Sequence, residues 1–158
     1  MIEWIAGFDT YGTGTASYAP MVAGNWASMG TGAGTIYPDT THVRTGTYYL
    51  HQPSGGVNSN TNVRRVFSGN LDTVVMGYAI WLDNLPEASH PLFMFYNDVE
   101  TVILTVGCKP DGKIAVWSGT FSGTFLDETT GPVITAESFD FVEVKAHFST
   151  GGTGTVEV

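Results

Sequence analysis

The chain is poor in charge and nearly devoid of cysteine. Only 13% of its 158 residues are Asp, Glu, Lys or Arg, about half the share of an ordinary globular domain. Lys and Arg together number six against fifteen Asp and Glu, for a net charge of −9. A nucleic-acid surface needs clustered cations. The nearest approach, Arg64-Arg65, lies in a strand-like run where neighbours face opposite ways. One cysteine, Cys108, excludes an internal disulfide and a thiolate zinc cluster, and reads as a small buried hydrophobe. Long apolar runs are missing too. The opening "MIEWIAGFD" lacks the basic region and apolar core of a signal peptide, and no stretch has the span of a membrane helix. The expectation is synthesis in a cytoplasm, with no membrane or nucleic-acid partner.

What replaces charge is Thr, Ser, Asn and 20 Gly, with 42% hydrophobic residues. Helical periodicity is nearly absent, and strand signals recur between Gly, Pro, Asn and Asp clusters. Strands are expected over 3–8, 47–52, 62–67, 73–83, 91–97, 100–108, 113–119, 140–149 and 154–158. "KPDGK" (109–113) and "STGGTG" (149–154) read as hairpin turns. The Gly-rich stretch 9–46 is expected to be irregular, with a short strand near Asn25-Trp26. "DETTGPVITAE" (127–137) reads as a turn.

Many antiparallel strands without covering helices imply an all-β sandwich or barrel. Over 73–83, Val74, Met76, Tyr78, Ile80 and Leu82 share one apolar face, which marks it as core. The other face carries Val75, Gly77, Ala79, Trp81 and Asp83. In 140–149, Val142, Val144, Ala146 and Phe148 face inward, and Phe141, Glu143, Lys145 and His147 face out. Small residues and scattered aromatics on an outer face suggest the concave sheet of a jelly roll. The closing "GTVEV" opens a return strand without a cap, which reads as a chain cut within its domain or one completed by a partner.

The order of "GFDTYG" (7–12), Trp26, "RTGTYYL" (44–50), "VVMGYAIWLDNLP" (74–86), "LFMFYND" (92–98), "ILTVGCKPDGKIAVWSG" (103–119) and the stretch 139–158 resembles the concanavalin A-like lectin/glucanase superfamily. The similarity is to its laminin-G-like domains in bacteriophage particle proteins, and it covers nearly the whole chain as one domain. Such domains usually continue into an Asn-Gly turn and further strands, in keeping with truncation at the C-terminus. The resemblance implies an antiparallel β-sandwich and a virion structural protein (capsid decoration, head-fibre, tail or baseplate component). Its partners would be other virion proteins or copies of itself.

Within that resemblance "FDTY" looks like the metal-binding strand of legume lectins. Calcium wants six or more oxygens, yet after Asp9 the next carboxylate is Asp39. Asp9 reads as a turn cap, with Asp9 and Asp98 the weak candidates for calcium and no cofactor otherwise expected. Hydrolases of the superfamily carry alternate carboxylates on one strand, at the spacing an acid and a nucleophile need. Asp140 and Glu143 sit at odd spacing on opposite faces, so no enzyme is expected. "GTGAGT" (30–35) lacks the following helix of a phosphate loop. His42, His51, His90 and His147 form no zinc spacing. There remains a carbohydrate platform for host-surface glycans: Trp81 and Trp117 with Glu143, Lys145 and His147. Against it stands the commoner use of large aromatics in cores and interfaces.

Overall fold

Runs of strand-forming residues become, in the computed structural model, antiparallel strands, eleven of them among the described residues. The structure describes residues 28–31, 37–41, 49–51, 61–64, 71–149 and 154–158. Among these residues there is no helix, and hence none long and apolar enough to cross a membrane. The chain divides into two compact units, 1–71 and 72–158.

In the first unit, β1 (Ser28–Thr31) pairs with β4 (Thr61–Arg64), and β2 (Tyr37–Asp39) pairs with β3 (Tyr49–His51). Both ribbons are antiparallel. The described parts of the stretch 9–46, expected to be irregular, thus contribute strands β1 and β2. A short strand with a long-range partner needs only backbone pairing, and so leaves little trace in a Gly- and Thr-rich pattern. The expected strand at 3–8, Asn25-Trp26 and Asp9 lie outside the described residues.

The second unit holds the remaining strands in two sheets. β5 (Thr73–Trp81), β10 (Phe139–His147) and β11 (Thr155–Glu157) form one, in the order β11-β10-β5. β6 (His90–Tyr96), β7 (Val102–Cys108), β8 (Ile114–Ser118) and β9 (Thr124–Glu128) form the other as a meander. Their inner faces share one core. Val142, Val144 and Ala146 from β10 meet Phe93, Phe95, Leu104, Val106, Cys108, Ile114 and Val116 from the four-stranded sheet. Val74, Met76 and Ile80 of β5 pack against this cluster, on the face the period-2 pattern marks as core. Two antiparallel layers over a common apolar core make this unit a β-sandwich. Tyr78 spans the layers: its hydroxyl donates to the Leu92 carbonyl at 2.9 Å, and its ring lies 4.8 Å from that of Phe93.

The 109–113 turn is built as its residues dictate. Lys109 N–H donates to the Lys113 carbonyl and Gly112 N–H to that of Lys109, both at 2.9 Å. Gly112 takes φ 78°, a conformation that favours glycine, and its carbonyl accepts from Val133 and Ile134. Ile134, in the stretch read as a turn, is itself buried in the core.

β9 is a strand the sequence pattern does not announce. It is an edge strand, largely exposed, and its register against β8 shifts between Val116 and Trp117. A bulge of this kind breaks the alternation on which strand recognition depends.

Layer packing makes inner and outer positions on neighbouring strands unequal. Val144→Ala, at a fully buried site, is expected to cost about 2–3 kcal/mol in urea unfolding. Val75→Ala, at a position 56% exposed, is expected to stay within about 0.5 kcal/mol. Equal costs would contradict the assignment of faces.

Candidate functional site

Cross-strand register places the outer face of the three-stranded sheet residue by residue. Thr73, Val75, Gly77, Ala79 and Trp81 of β5 stand opposite His147, Lys145, Glu143, Phe141 and Phe139 of β10. Lys145 stands opposite Glu157 of β11 and donates to its carboxylate at 3.0 Å. Val75, on the edge strand β5, and Phe141, on the central strand β10, are 56% and 55% exposed, so apolar surface faces solvent here. Gly77 gives the Phe141 ring its room, since a Cβ there would lie 3.0 Å from the ring's Cζ. Phe141, Glu143, Lys145, Glu157 and Val158 line a shallow, open depression of about 490 Å³.

The expected sugar-binding residues separate. Trp81, Glu143, Lys145 and His147 belong to this face. Trp81 is half-buried, lies 5.1 Å from the Phe139 ring, and its indole N–H donates to Asp83 at 3.0 Å. His147 Nδ1 is 3.1 Å from the Thr73 hydroxyl. Trp117 belongs to the other sheet, on β8, and is 8% exposed. It packs edge-on against Phe121 at 4.7 Å and against Phe125 at 6.0 Å. The two tryptophans therefore line no common platform. Period-2 reading assigns a residue to one side of its own strand but does not say which strands share a sheet. Phe141 and Val75 do carry a signal in the sequence, as apolar residues at outward positions.

The carboxylates are occupied structurally or stand apart. Asp140 accepts from the Thr135 N–H at 2.7 Å and holds the turn before β10. Asp140 pairs with Ile80 and Glu143 with Gly77, which puts them on opposite faces. Asp98 is exposed in the turn between β6 and β7. Among the described residues no three His, Cys, Asp or Glu side chains gather closely enough to hold a metal ion.

Two further groups have defined electrostatics. Glu128 receives Lys109 Nζ at 2.6 Å and Lys113 Nζ at 2.7 Å, at the turn end of the β7–β8 hairpin. The hydrogen bond from Lys109, and then that from Lys113, draws the Glu128 carboxyl down to about 2. Cys108 is fully buried, and its thiol lies 3.3 Å from the Lys109 carbonyl. Burial, with a smaller contribution from Asp111, pushes the thiol up, away from the reactive thiolate.

Comparison with family models, with characterised proteins and with solved structures finds no match to this chain. The chemistry of the site stands on its geometry alone.

Glu128 is held low in the folded state relative to an ordinary 4.5. Its contribution to stability is therefore fully present above pH 4.5 and lost as pH falls towards 2. Glu128→Gln is expected to be less stable than the parent near neutrality, with the difference shrinking across that interval in pH-dependent unfolding. For Cys108, a thiol reagent such as dithionitrobenzoate is expected to react only on the timescale of unfolding. Immediate stoichiometric labelling of the native protein would contradict the burial.

Proposed function

We propose that this chain is a non-enzymatic structural or adhesion module of a phage-type particle, acting by docking to copies of itself or to neighbouring virion proteins. In this reading the sandwich is a jelly roll of the concanavalin A-like, laminin-G-like kind. It serves as a capsid decoration, head-fibre, tail or baseplate component. The observation that carries the docking is the outer face of the three-stranded sheet. There Val75 and Phe141 stand more than half exposed, flanked by Glu143, Lys145, His147 and Glu157. An apolar centre with a polar rim is the anatomy of a protein interface. The order of sequence motifs supports the assignment to a particle.

The same face supports a second reading, as a carbohydrate-binding module for surface glycans. Phe141 offers a ring whose face can meet the C–H side of a sugar, and Glu143 and Lys145 offer hydroxyl partners beside it. Trp117, inside the other sheet, takes no part in this version.

Two measurements separate the readings. Sedimentation across micromolar concentrations, with mass analysis of particles from the producing cells, is expected to show association and co-purification. Phe141→Asp is expected to abolish both while circular dichroism and melting stay close to the parent. A monomeric chain absent from particles would overturn the docking. Glycan-array binding lost in Phe141→Ala would transfer the face to the second reading.

A further inference from the structure

Along β10 the outward side chains come in a fixed order. Phe141, Glu143, Lys145 and His147 stand at alternate positions, and all are exposed. The opposite charges Glu143 and Lys145 are thus neighbours on one face, roughly 7 Å apart along the strand. On β5 the register sets Ala79 level with Phe141, Gly77 with Glu143, Val75 with Lys145 and Thr73 with His147. On the other side Lys145 donates to both carboxylate oxygens of Glu157, at 3.0 and 3.3 Å. That pair stays open to solvent, its side chains 50% and 68% exposed.

This order limits how the face can meet itself. Homo-oligomers are most often closed by a two-fold axis, whose interface uses the same patch on both copies. An axis along the strands, with β10 laid on β10, puts Glu143 on Glu143 and Lys145 on Lys145, and like charges in opposition are unfavourable. An axis across the strands at the level of Glu143 or Lys145 repeats one of those conflicts. At the level of Val142 it sets Glu143 over Phe141, and at the level of Ala146 it sets Lys145 over His147. At the level of Val144 both central charges find their opposites, because Glu143 of each copy lies over Lys145 of the other. The neighbouring residues then match as well. Val75 lies over Gly77, against which the Phe141 ring leans, and Ala79 lies over Thr73.

We propose that the occupant of this face is a second copy of the chain, related by a two-fold axis that crosses β10 at Val144, with Glu143 of each copy paired to Lys145 of the other. The inference rests on the docking reading of the same face and adds the partner and its orientation. Lys145 then bridges Glu157 in its own copy and Glu143 in the second. Glu128 between Lys109 and Lys113 is the same arrangement with the signs exchanged. The patch covers roughly 14 by 30 Å, three strands wide and one strand long. That is the low end for a specific interface, so the pairing is weak and needs high concentration.

The test mixes two charge reversals and reads association by sedimentation up to millimolar concentration. The parent is expected to dimerise. Glu143→Lys alone and Lys145→Glu alone are each expected to dimerise about tenfold or more weakly, since each sets two pairs of like charges across the axis. An equimolar mixture of the two is expected to regain association as a heterodimer, in which both pairs are again opposite. Circular dichroism and melting are expected to stay close to the parent. Should either reversal fail to fold, Glu143→Arg and Lys145→Asp take their place in the same mixing. Single reversals that dimerise like the parent, or a mixture no stronger than its components, would overturn the two-fold pairing. A parent that stays monomeric would also overturn it. If that monomer still co-purified with particles in a Phe141-dependent manner, the face would dock a different protein and the broader reading would stand. If it did not, both would fall.

Discussion

Everything in the second unit follows from the requirement that two antiparallel sheets bury alternate side chains against each other. Each sheet has one apolar face, and that face is taken out of water only by the other sheet. The core arises only where Val142, Val144 and Ala146 of one layer meet Phe93, Phe95, Val106 and Ile114 of the other. Period-2 alternation then fixes the direction of every other residue on those strands. Outward positions are a by-product of inward ones, and function at the surface is confined to what alternation leaves over.

The two layers treat their leftovers differently. On the four-stranded sheet Gly107 leaves room for the ring of Phe121, which folds back from the turn after β8 and packs edge-on against Trp117. On the three-stranded sheet Gly77 likewise makes room for an aromatic ring, but that ring is Phe141 from the neighbouring strand, and more than half of the residue stays exposed. The same device, a missing Cβ beside a phenyl group, lets one ring pack down on its sheet and leaves the other more than half exposed to solvent.

Much of the second unit is legible in sequence because its central strands are long and half-buried. β5 and β10 carry enough alternation that Val74, Met76 and Ile80 of one and Val142, Val144 and Ala146 of the other fall in the core as the pattern predicts, while Tyr78, on the same face of β5, stays 38% exposed. The hairpin at 109–113 is equally plain, since Pro-Asp-Gly leaves few other conformations. β9 is hidden by its bulge and its exposed, polar edge position. The grouping of Trp81 with Trp117 fails for another reason. Their strands are alike in local pattern, and only the long-range pairing of β5 with β10 puts them in separate layers. Of the surface residues, Glu143, Lys145 and His147 fall together because they share one strand, the single case in which local periodicity suffices.

Apolar layers held by contact alone resist separation better than they resist sliding, because van der Waals attraction has no preferred direction. The Tyr78 hydroxyl, reaching from β5 to the Leu92 carbonyl on β6, supplies the missing directionality. Desolvation pushes the phenol above the ordinary tyrosine range, so the donor proton is held more firmly than on a free tyrosine. It acts as a dowel between two planks, fixing lateral offset where the surrounding contacts fix only spacing.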